Sequence, residues 1–224
     1  MPKDQGLYES RREHDACGIG AVVNISGKKD HSIIQYADQV LKNLHHRGAA
    51  GADNVTGDGG GILCQIPHDF LKAETKKLKI TLPDAGAYGT AMVFGSKDEK
   101  LGKNCEKLLE DAIVHYGMSV LGWRDVPVDS SCLGEIALSA EPTIKQIFID
   151  GGPYRGDELE RKLFLARKRA ERLVNEAYDE TAEDFYISSM SAKTICYKGM
   201  FMAWQLFAYY PDLSDKRFTS CLLY

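Results

Sequence analysis

The sequence predicts one domain in which helices pack on β-sheets. Short apolar runs bounded by glycine, proline and polar turn residues alternate with segments of helical periodicity. No repeat, low-complexity tract or linker divides the 224 residues, so a single mixed α and β unit is the economical reading.

Taken in order, CGIGAVV at 17–23 is a small apolar run that predicts a buried strand headed by Cys17. After the polar turn SGKKDHS, Ile33, Ala37, Val40, Leu41 and Leu44 recur at helical spacing. A glycine- and alanine-rich loop follows over 45–61, then a second buried strand, ILCQI at 62–66, and a short helix opening at Pro67. Strands are predicted at 87–94, 118–126 and 143–150, the last with one wetter face, and a helix at 97–117. The clearest helix spans 156–177, with a stripe of Leu159, Leu163, Ala166, Ala170, Leu173 and Ala177 and with Asp157 as its candidate cap. DFYISSMS and TICYKG, within 184–199, read as two strands paired in a hairpin. The apolar end FTSCLLY, 218–224, needs burial and suggests the front part of something longer.

Composition narrows the function classes. Twenty-eight basic and thirty-two acidic side chains leave a net charge of −4, which gives no overall footprint for nucleic acid or an anionic membrane. Seven lysines and arginines fall within 155–172, but helical spacing spreads them over a solvated face, with Glu158 and Lys162 as an i,i+4 pair. Six cysteines without a CxxC spacing read as reduced thiols of a cytoplasmic protein. Residues 1–16 carry mixed charge and no apolar core, unlike a secretory signal.

Three candidate sites were weighed from the residues. TGDGGG at 56–61 lacks the lysine and hydroxyl of a phosphate loop and precedes a strand, so a tight turn shaping a pocket is expected. His45, His46 and His68 have no metal-ligand spacing, and no metal is expected. Cys17 has two readings: a packed thiol, or a nucleophile whose own α-amino group, freed by cleavage after Ala16, serves as the base.

HDACGIGAVV, LKNLHHRGAAGADNVTGDGGGILCQIPHDFL, GWRDVPVDSSCLGEIALSAEP and YKGMFMAWQLFAYYPDLSDKRF together resemble the N-terminal glutamine amidotransferase domain of the glutamate synthase large subunit. The resemblance runs from about residue 12 to the last residue. It implies an α+β fold of the N-terminal nucleophile type, a four-layer αββα sandwich, here incomplete. It implies a propeptide at 1–16 and, at 17–224, the front portion of the domain. Cys17 would attack the side-chain amide of L-glutamine, form a thioester and release ammonia for transfer to 2-oxoglutarate. Arg47 and Gly48 would lie beside it as substrate-binding residues. The residues that hold the glutamine carboxylate and the oxyanion in this family would follow Tyr224. FMN and a 3Fe-4S cluster would belong to the remaining domains or subunits, with no cofactor in this segment. The alternative is a catalytically inactive remnant that serves as a binding or regulatory module.

Overall fold

The computed structural model describes residues 17–224; the proposed propeptide, 1–16, lies outside them. Two four-stranded antiparallel sheets form the frame. The first has the order β1 (Val22–Val23), β8 (Leu222–Leu223), β2 (Gly60–Gln65), β7 (Thr194–Gly199). The second has the order β4 (Ser119–Asp125), β5 (Thr143–Asp150), β3 (Tyr88–Gly95), β6 (Tyr186–Ser191). Six α-helices accompany them among the described residues: α1 (Ser32–Asn43), α2 (His68–Lys77), α3 (Glu99–His115), α4 (Glu135–Ser139), α5 (Gly156–Tyr178) and α6 (Gln205–Tyr209).

Strand parity sorts the core into two layers of contact. On the first sheet Ile62 faces Tyr197 and Cys64 faces both Ile195 and Leu223, and all five are buried. They join Ile33, Ile34 and Ala37 of α1 and Phe70 and Leu71 of α2, and the same cluster takes in Tyr88, Met92, Phe94 and Phe148 of the second sheet. The alternate residues of that second sheet, Ala91, Val93, Ile147 and Ile149, meet Leu109, Ala112 and Ile113 of α3 and Leu159, Leu163, Ala166 and Ala170 of α5. Each large apolar side chain so buried contributes about 1.5–3 kcal/mol.

Several expectations are corrected. The Cys17 strand is not buried: pairing is confined to Val22 and Val23, at the sheet edge, and Cys17 and Ile19 are exposed. Gly18 and Gly20 lie on the side turned to α1, where a Cβ on Gly20 would fall 2.3 Å from Val40 Cγ1; the helix packs on bare backbone there. The strand at 143–150 is wetter only at the start of one face, at Thr143 and Lys145; it lies between β4 and β3, and Ile147 and Ile149 of the same face are buried. The proposed hairpin does not form. β6 pairs with β3 and β7 with β2, while Ser188 Oγ donates to Cys196 O and Ser189 Oγ accepts from Cys196 N, side chains standing in for a ladder.

On α5 the stripe ends in Val174; Leu173 is half-buried and Ala177 exposed. Asp157 does not cap this helix. It pairs with Lys193 at 2.7 Å, and the N-cap position is Arg155 without a side-chain bond. Lys162 lies 4.7 Å from the Tyr154 ring centroid, a cation–π contact in place of the expected pair with Glu158. The apolar end is buried at Phe218, Ser220 and Leu223, whereas Tyr224 is 54% exposed.

Candidate active site

Gly18, the residue after Cys17, meets the loop after α1, while Cys17 itself is exposed beside the cleft lining. A helical turn at His45–Arg47 ends α1, with Arg47 N donating to Leu44 O at 2.8 Å, and the chain leaves it extended through Gly48. Arg47 is thereby laid against the segment bearing Cys17: its Cβ and Cγ are 3.4 Å from where a Cβ on Gly18 would stand. Gly18, Arg47 and Gly48 all line a cleft of about 880 Å³.

Between Gly48 and Asp58, which line the cleft, the loop is pinned by Asp53. The Asp53 carboxylate accepts from Thr56 Oγ1 (2.6 Å), Thr56 N (2.7 Å), Val55 N (3.0 Å) and Ile136 N (3.3 Å). Thr56 Oγ1 accepts in turn from Ala137 N, so the loop is docked on α4. These donors, the Thr56 hydroxyl first, hold the Asp53 carboxyl far below the usual carboxylate range. Ala50 and Gly57 form a bridge, and a Cβ on Gly57 would lie 2.0 Å from the Phe201 carbonyl carbon, so only glycine admits the chain 201–202 so closely. TGDGGG is not itself a tight turn: the turn precedes it, closed by the Ala50–Gly57 bridge, and Gly60 and Gly61 already belong to β2, while Asp58–Gly61 line the cleft.

The cleft carries both signs of charge: Arg47 and Lys198 against Asp58 and Asp184. Lys198 Nζ donates to Tyr186 Oη at 3.0 Å and lies 4.5 Å from that ring's centroid, which fixes it at the wall. Such a cleft suits a zwitterion, whose ammonium and carboxylate each need a partner of opposite charge.

Cys17 differs from the other thiols in place and setting. Burial pushes the thiols of Cys64, Cys105, Cys132 and Cys196 up, holding them protonated. Cys17 is exposed, so the packed-thiol reading is corrected. The three histidines are dispersed: His46 Nδ1 bonds to Asn43 O, and His68 Nδ1 to Tyr88 Oη. Among the described residues no group of three or more His, Cys, Asp or Glu could hold a metal. The functions of Asp53, Thr56 and Lys198 were not foreseen; the only sequence signal for the first two is an Asp-x-x-Thr spacing inside a glycine-rich loop.

Comparison with known proteins fits this geometry. The family described as glutamine amidotransferases class-II matches residues 17–224, beginning at Cys17. The chain is 44% identical over 223 residues to the glutamate synthase [NADPH] large chain of Bacillus subtilis, covering 98% of this chain and 14% of that protein. It is 41% identical over 231 residues to glutamate synthase [NADH] of Saccharomyces cerevisiae (98% and 10%). It is 36% identical over 220 residues to the chloroplastic ferredoxin-dependent glutamate synthase 2 of Arabidopsis thaliana (98% and 13%). The chain therefore spans about a seventh or less of the length of these relatives. From the cysteine at the head of the match to the strand that closes the sheet, the chain belongs to the class-II glutamine amidotransferases.

Proposed function

We propose that residues 17–224 are the front portion of the glutamine amidotransferase domain of a glutamate synthase, and that Cys17, freed by removal of residues 1–16, is its nucleophile. One observation carries this reading: Cys17 is exposed and its neighbour Gly18 packs on Arg47 at a cleft of mixed charge. The start of the family match at Cys17 supports cleavage after Ala16. The bare Ile19 and Ile25 of the edge segment, 84% and 99% exposed, support further chain packing beside β1, which would complete a four-layer αββα sandwich.

In the reaction, Cys17 Sγ adds to the side-chain carbonyl carbon of L-glutamine. The α-amine of Cys17 takes the thiol proton and returns it to the departing nitrogen, so that the C–N bond breaks and ammonia leaves. The resulting thioester is cleaved by water, releasing glutamate and the thiol. Arg47 and Gly48 bind the substrate beside the sulfur. In the whole protein the ammonia would reach 2-oxoglutarate, with FMN and the 3Fe-4S cluster held by other domains or subunits. No helix among the described residues is long and apolar enough to cross a membrane, and we assign the protein to the cytoplasm.

The test is covalent labelling. A chain beginning at Cys17, treated with an electrophilic glutamine analogue and mapped by mass spectrometry, carries the label on Cys17. Cys17→Ala abolishes it. Arg47→Ala slows it about tenfold or more, the loss expected of one charge-assisted contact. Label on the other thiols, or equal labelling of the Arg47 variant, contradicts the assignment and returns the chain to a binding module.

A further inference from the structure

A second cavity, of about 440 Å³, lies at the other end of the β2–β7 pair. Gln65 and Thr194 border it, whereas Leu63 and Cys196 are the nearest residues of those strands that border the Gly18–Arg47 cleft. At about 3.3 Å per residue, the two linings are about 7 Å apart along the strands. The amidotransferase reading makes no use of this cavity.

Its chemistry is one-sided. Lys29, Lys193 and His68 line it, and no carboxylate does. Gln65 Oε1 is occupied by Cys221 N (3.2 Å) and Cys221 Sγ (3.0 Å), which leaves Gln65 Nε2 as a donor. Tyr88, 1% exposed, holds His68 Nδ1 through its hydroxyl at 3.2 Å, fixing the ring and leaving Nε2 without a partner among the described residues. His68 also opens α2, whose first amides add positive potential at the same place. Asp69 and Asp157 stand outside the lining. The Lys193–Asp157 pair is between side chains 57% and 80% exposed, so it exchanges readily for a better anion.

We propose that this cavity binds a small oxyanion, a phosphate or carboxylate group, at a site separate from Cys17. Lys29, Lys193, His68 Nε2 and Gln65 Nε2 are the donors. Isothermal titration of the 224-residue chain with sodium phosphate, and separately with sodium succinate, at constant ionic strength against sodium chloride, tests it. Saturable binding is expected with at least one of the two and none with chloride; phosphate alone assigns a phosphate group, succinate alone a carboxylate. Replacing Lys29→Gln together with Lys193→Gln weakens binding about tenfold or more, and His68→Gln weakens it as well. Lys107→Gln with Arg172→Gln removes the same charge from the exposed faces of α3 and α5 and leaves binding unchanged. No saturation with either anion, or equal weakening by the two double variants, overturns the proposal. Melting curves of each variant confirm that the chains compared are folded.

Discussion

Asp53 shows how a single residue docks the loop after α1 on α4. Its four accepted hydrogen bonds tie Val55 and Thr56 to α4. Because its folded pKa is depressed, its stabilisation is fully present above the unfolded value of about 3.9 and is lost as the pH falls toward the folded one. The protection of the Thr56 amide, its exchange rate relative to that of a free amide at the same pH, is therefore expected to hold down to about pH 4 and to fall below it. Asp53→Ala brings the same loss of protection at neutral pH. Protection indifferent to both would show that the carboxylate does not hold the loop. Cys17 stands out in the sequence as a thiol heading an apolar run, whereas Arg47 and Gly48 are reached only through the resemblance to the family. Asp53 escaped notice because its partner Ile136 is 83 residues away, as Ala137 is 81 from Thr56.

Among elements, the long helices and central strands were legible because burial follows their period. α5 is the clear case, with Leu159, Leu163, Ala166 and Ala170 at full burial. Edges and crossovers were not. An apolar run such as CGIGAVV looks the same in a central strand and at an exposed edge, since periodicity does not tell which neighbours a strand has. Likewise β6 and β7 are separated by a short turn, held by Ser191 Oγ accepting from Lys193 N and Thr194 N, yet they pair in different sheets. Close approach of Gly57 to Phe201 makes a prediction at this scale. Gly57→Ala forces the 201–202 backbone away and is expected to cost about 1–3 kcal/mol, read as a lowered denaturation midpoint. An unchanged midpoint would mean the loop is not seated on that backbone.

At the scale of the whole molecule, a buried ion pair joins the two sheets to the segment before β8. Arg124 of β4, 6% exposed, donates to both oxygens of Asp212 at 2.7 Å and to Gln146 Oε1 at 2.8 Å, and Tyr197 Oη of β7 donates to Asp212 at 2.9 Å. Tyr197, Tyr210 and Phe218 pack edge-on around it. Removing one partner leaves an uncompensated buried charge, so Asp212→Ala is expected to destabilise the fold by about 3–5 kcal/mol. Chemical denaturation checks this, and a loss below about 1 kcal/mol, the range of surface pairs, would contradict it. None of this network was visible in the sequence, where GWRD and PDLSD are separate charged motifs eighty-eight residues apart.

The central claim is that Cys17 works as an N-terminal nucleophile, and its most direct measurement is peptide mapping of the gene product isolated from its own cells. The account predicts a first peptide beginning at Cys17 with a free α-amine. An intact Met1 in the purified, active protein would contradict it, because Cys17 would then have no amine to serve as its base.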